Sequence, residues 1–124
     1  MSKKIVLVGH CGPDSSYLRI AVSSADKSLQ VLMADDMSEL TEALDGGADL
    51  LLLNRQMPYG FGEAMGVDVI RKLRPKYPNV KMMLVSNYAD AQAAAVAEGA
   101  LPGFGKREIG SPKVKELIRS ALTE

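Results

Sequence analysis

Residues 49–58 read DLLLLNRQMP, and this stretch decides the fold. Asp49 is followed by four consecutive leucines, Leu50 to Leu53. An unbroken apolar run of strand length, bounded by polar residues, suits a strand buried on both faces, as in parallel sheets sandwiched between helices. The run stops at Asn54, and Arg55-Gln56-Met57-Pro58 carries the chain away. In an open parallel sheet, ligands and chemistry sit in the crevice beyond the carboxyl ends of the strands. Asn54 therefore stands at the expected functional address.

Outward from this strand the chain alternates between short apolar runs and helical patterns. Residues 5–8, Ile-Val-Leu-Val, form a second run that suits a buried strand, and Gly9-His10-Cys11-Gly12-Pro13 must be a loop. Asp14 is expected to cap a helix whose apolar face is Tyr17, Leu18, Ala21, Val22 and Ala25. A strand over 29–34 follows. Asp36 and Glu39 have capping-box spacing for a helix with Leu40, Ala43 and Leu44 inward, ended by Gly46-Gly47. Past Pro58, the glycine-rich Tyr59-Gly60-Phe61-Gly62 loop leads to a helix bearing Val67, Ile70 and Leu73. Residues 80–85 read as the fourth strand. Asp90 opens an alanine-rich helix, with Ala91 and Ala93 to Ala97, that Gly99 closes. Residues 101–105, with one Pro and two Gly, read as an irregular or edge strand. Ser111-Pro112 is an N-cap followed by an N1 proline, starting a last helix with Val114, Leu117, Ile118, Ala121 and Leu122 inward. Five strands alternating with five helices predict an α/β fold, a doubly wound five-stranded parallel sheet between two helix layers.

The 124 residues are expected to form one domain, 1–124, with no effector domain after the last helix. Apolar residues make up 47% and charged residues 24%, proportions of an ordinary globular protein. Fifteen basic residues balance fifteen acidic ones, so the net charge points to neither nucleic acid nor an anionic membrane. No apolar run approaches the roughly 20 residues of a membrane span, and no secretory signal precedes Gly9, so a cytoplasmic location is expected. His10 and Cys11 are the only histidine and cysteine, too few for a metal site of that ligand type. Neither glycine-rich loop matches a P-loop or a dinucleotide fingerprint, and no cofactor is expected. Cobalamin modules with this architecture want Asp-x-His-x-x-Gly, whereas Val8 and Pro13 flank His10 at those positions.

The residues also carry a family likeness. The chain resembles a two-component response-regulator receiver domain across nearly its whole length. The likeness rests on the element order, Met57-Pro58 after the third strand, Ser86 ending the fourth, Gly99-Ala100 closing the fourth helix and Lys106 after the fifth strand. It implies strand order 2-1-3-4-5, with Ser86 and Lys106 as switch and pocket residues. It also implies a phosphoacceptor aspartate where this chain has Asn54, and a magnesium-holding acidic pair where it has Gly9 and His10. Further departures are Arg107 in place of the proline after the lysine, Gly103 at the aromatic switch position, and a longer loop after Pro58. The resemblance therefore implies a pseudo-receiver, a non-enzyme with no metal and no phosphorylation at Asn54, acting in signal transduction by protein–protein interaction. Its expected partner is a histidine kinase or regulatory protein docking on the face of the fourth helix, fifth strand and fifth helix. A homodimer is a further expectation. The alternative is a small flavodoxin-like ligand- or cofactor-binding module.

Overall fold

The computed structural model describes residues 3–123. Its elements run β1 Lys4–Val8, α1 Gly12–Ala25, β2 Gln30–Ala34, α2 Met37–Asp45, β3 Leu50–Asn54, α3 Gly66–Leu73, β4 Lys81–Val85, α4 Ala89–Ala97, β5 Leu101–Phe104 and α5 Pro112–Leu122, with a single 3₁₀ turn at Lys106–Glu108. All strand pairs are parallel and the sheet order is β2-β1-β3-β4-β5. The doubly wound receiver-like architecture expected from the sequence is present.

The leucine run explains itself once both sheet faces are covered. Leu51 and Leu53 enter the core beneath α2, α3 and α4, while Leu50 and Leu52 enter the core beneath α1 and α5. β1 splits in the same way, with Val6 and Val8 on one side and Ile5 and Leu7 on the other. Each such side chain contributes roughly 1.5–3 kcal/mol by leaving water, so the central strands hold the molecule together. β2 lies at an edge and is exposed along most of its length.

Several expectations shift in detail. α1 begins at Gly12 with Cys11 as its N-cap, so Asp14 lies inside the first turn and does not cap it. The Tyr17 side chain points to solvent, at 62% exposure, and does not join the inner stripe. Asp90 likewise lies in the first turn of α4, and Tyr88 is the N-cap. In α3 the buried stripe is Gly66, Val69, Ile70 and Leu73, with Val67 only partly covered. The α2 cap is as expected at Asp36, which accepts from the Glu39 amide at 2.8 Å, while Glu39 reaches back to the Asp35 amide at 2.7 Å. Ser111 is the N-cap of α5, yet its hydroxyl has no partner among the described residues.

β5 is irregular, as its composition predicts. Met83 pairs with Leu101 and Val85 with Phe104, so Leu84 faces both Pro102 and Gly103 across a bulge. The bulge presses Gly103 so close to the Leu84 carbonyl that a Cβ there would collide with it.

Candidate functional site

The carboxyl ends of β1, β3 and β4, and the turn after β5, bring Gly9, His10, Asn54, Ser86 and Lys106 together at one rim of the sheet. Asn54, Ser86 and Lys106 line a cleft of about 130 Å³ with Arg55, Asn87 and Tyr88. The Arg55 guanidinium sits over the Tyr88 ring, 4.6 Å from its centroid, a cation–π contact at the mouth of the cleft.

The Asn54 side chain is a donor to carbonyls and does not cap loop amides. Its Nδ2 donates to the Gly9 carbonyl at 3.2 Å and to the Gln56 carbonyl at 3.0 Å. Two carbonyl oxygens converge on this group, and only an NH₂ can serve both. A carboxylate in the same place would set a negative oxygen against two acceptors. The amide therefore ties β1 to the start of the loop after β3, and the tie depends on its being an amide.

Gly9 is equally determined by its surroundings. Its φ is +71°, and a Cβ there would meet Pro58 Cδ at 3.0 Å and Met57 Cε at 3.2 Å. Met57-Pro58 thus packs where a side chain on Gly9 would have to stand. The loop that follows is folded back on itself: the Met57 amide donates to Ala64 at 2.8 Å, Gln56 and Met65 form an antiparallel bridge, and the Gly66 amide returns to Arg55 at 2.8 Å. Phe61, 1% exposed, anchors this loop in the core beneath α2 and α3. The sequence showed the loop's length but not that an aromatic pin closes it. Phe61 stands between two glycines, Gly60 and Gly62, that both adopt positive φ.

His10 is buried, and its Nε2 lies 2.8 Å from the Leu52 carbonyl. A carbonyl only accepts, so Nε2 carries the proton and Nδ1 is the bare nitrogen, without a partner among the described residues. Burial holds its pKa below the usual histidine value, and Lys106 pushes the same way; the Leu52 bond and Asp14 oppose them. The bond makes the ring a strut between the end of β1 and β3. Among the described residues no group of three or more His, Cys, Asp or Glu could hold a metal ion.

Lys106 stands at the cleft, and its carboxylate partner is none of the positions 9, 10 and 54 that the resemblance singles out. Asp14 Oδ2 lies 2.8 Å from Lys106 Nζ. Because α1 starts early, Asp14 turns from cap to site residue, and the Lys106 bond, helped by a thiol contact from Cys11, holds its carboxyl below the ordinary value. This is the site residue that sequence reasoning missed. The pair neutralises Lys106, so Arg55 is the positive charge left at the cleft.

Ser86 is buried, and its Oγ accepts from the Tyr88 amide at 3.1 Å. Beside it, Gln92 was unremarked in the sequence. Its Nε2 donates to Leu84 at 2.8 Å and Ser86 at 3.1 Å, and its Oε1 accepts from the Gly103 amide at 3.0 Å. The Gln92 side chain thus fills the gap that the bulge opens between β4 and β5. Asn87 accepts from the Arg107 amide at 3.2 Å and fixes the turn after Lys106.

No family model matches the chain, and no curated protein matches its sequence. Solved structures do match, and they show the fold. A response regulator from Thermotoga maritima is 18% identical, with a TM-score of 0.75 over 100% of both chains. The receiver domain of a DNA-binding response regulator from Colwellia psychrerythraea 34H is 16% identical, with a TM-score of 0.80 over 99% of this chain and 100% of that one. The beryllofluoride-activated NtrC4 receiver domain dimer is 18% identical, with a TM-score of 0.76 over 96% of this chain and 95% of that one. The fold is that of response-regulator receiver domains.

Proposed function

We propose that the chain is a pseudo-receiver, a signalling domain that works by contact with a protein partner and without phosphorylation at Asn54. The observation that carries this reading is the Asn54 side-chain amide donating to both Gly9 and Gln56. The position homologous in architecture to a phosphoacceptor is uncharged, and its hydrogen bonds fix it as a structural tie. His10 held on the Leu52 carbonyl, the lack of room for a side chain on Gly9 beside Met57 and Pro58, and the Asp14–Lys106 pair support the same reading, because none of the three leaves a free carboxylate at those positions.

The alternative, a cofactor module, fits less well. A cleft of about 130 Å³ at the strand ends is small against the 300–1,000 Å³ of ordinary ligand pockets. Among the described residues no helix is long and apolar enough to cross a membrane.

The partner face in this proposal is α4, β5 and α5. α4 buries only Ala95 fully and leaves Ala93, Ala94, Val96 and Ala97 exposed, a flat small-residue surface that another helix can approach closely. The test is affinity capture from the native cell with the wild-type chain and with an Ala94→Glu, Val96→Glu variant. A partner kept by the wild type, indifferent to phosphodonor and lost by the variant, is the expected result. Binding that requires the phosphodonor, or that survives the variant, overturns the proposal.

A further inference from the structure

The charges of this chain are sorted by place. Residues 28–54 hold six acids, Asp35, Asp36, Glu39, Glu42, Asp45 and Asp49, and no Lys or Arg. All fifteen basic residues and the other nine acids lie elsewhere. Five of the six acids lie in α2 or in the turn between it and β2, at one edge of the sheet, and Asp49 leads into the central strand β3.

Each pole of this distribution carries its own exposed apolar pair. At the acidic edge Leu32 and Met33, 38% and 40% exposed, share a groove with Glu39, Glu42 and Ala43 of α2. Lys4 is the one base there, and its Nζ is drawn to the Gly46 carbonyl at 2.9 Å. On the opposite helix layer, α1 exposes Tyr17 and Ile20, at 62% and 65%. Arg19 and Lys27 flank them, with Lys115 of α5 across the adjoining groove. Arg19, Lys27 and Lys115 form no ion pair among the described residues, and the Glu42 side chain has no hydrogen-bond partner there.

We infer that the occupant of both patches is a second copy of this chain, the acidic β2–α2 edge of one docking on the Tyr17–Ile20 patch of the next, where Arg19, Lys27 and Lys115 supply the positive charge. The two surfaces are opposite in sign, and each carries two exposed apolar side chains. Net charge is zero, so copies do not repel at long range. α2 and α1 lie on opposite helix layers, so a contact between α2 of one copy and α1 of the next leaves a free patch at each end. Such a contact is heterologous and extends head to tail instead of closing as a two-fold dimer. The assembly goes beyond the regulatory reading, needs no other protein, and leaves the outer face of α4 open.

The test uses the purified chain and sedimentation equilibrium at about 0.3 mM protein. At roughly 0.02 M salt the average mass should exceed the 13.3 kDa monomer, and association should weaken roughly tenfold or more at about 0.5 M salt. An Arg19→Glu, Lys27→Glu variant and a Glu39→Gln, Glu42→Lys variant should each be monomeric alone. Glu39→Gln keeps an acceptor for the Asp35 amide, so the α2 cap survives. Mixed, the two variants retain one intact patch apiece and should form a 1:1 dimer that grows no further. A wild-type monomer at low salt, association indifferent to salt, or a mixture that stays monomeric overturns the inference.

Discussion

At the residue scale, Asn54 and His10 each hold a place that admits no charge. In Asn54→Asp the carboxylate faces the Gly9 and Gln56 carbonyls that the amide now satisfies. Losing those bonds should cost about 1–3 kcal/mol, read as a lower urea midpoint. Ionisation worsens the fit in the folded state only, so the deficit should grow as pH rises through the carboxyl range. His10 gives a second pH dependence. Its folded pKa lies below 6.5, so below that pH the unfolded chain binds a proton that the folded chain refuses. Its contribution is complete above about pH 6.5 and is lost as pH falls toward the folded pKa. The stability of Asp14 with Lys106 runs separately: it is present above the ordinary carboxyl value of 3.8 and disappears as pH falls through the lower folded pKa. Urea unfolding between about pH 5 and 8 isolates the histidine, and His10→Gln should flatten the profile there while leaving the acid limb intact.

At the element scale, the two irregular segments are the informative ones. Phe61→Ala should cost about 3–5 kcal/mol, and amide exchange should quicken first at Met57 and Gly66, whose bonds close the loop. A loop that exchanges no faster would show that its backbone bonds hold without the pin. Gln92→Ala strips partners from the Gly103 amide and two carbonyls at the β4–β5 bulge, and should cost about 1–3 kcal/mol. Its mark is faster exchange at Gly103 without change in β1–β3. These segments also show what the sequence could tell. The four leucines of β3 announced a two-faced buried strand because hydrophobic runs are read locally. The Pro and glycines of residues 101–105 likewise announced the irregular edge. Asp14, Gln92 and Phe61 were not legible as site residues, because no local sequence pattern marks the partner that each one meets. Asp14 meets Lys106, Gln92 meets Gly103, and Phe61 meets the core under α2. An α1 start three residues early was enough to turn a cap into an ion-pair partner.

At the scale of the whole molecule, neighbours fix each of positions 9, 10 and 54 at the carboxyl-end rim of the sheet. Restoring acids at Gly9, His10 and Asn54 together should therefore not build a magnesium site. Aspartate at residue 9 meets Met57 and Pro58 at a φ of +71°, and aspartate at residue 10 loses the Leu52 contact inside the core. The triple variant should unfold more easily and gain no stability from magnesium in a thermal melt. The single Asn54→Asp variant asks the sharper question. Phosphoryl transfer to a carboxylate brings two anions together, and at about 4 Å their repulsion is roughly 4 kcal/mol at an effective dielectric near 20. Without a metal to offset it, that repulsion slows transfer on the order of a thousandfold. The decisive measurement is the intact mass of Asn54→Asp after incubation with a small phosphodonor and magnesium. An unmodified mass is the expected result; a stable gain of one phosphoryl group at residue 54 would contradict a closed site.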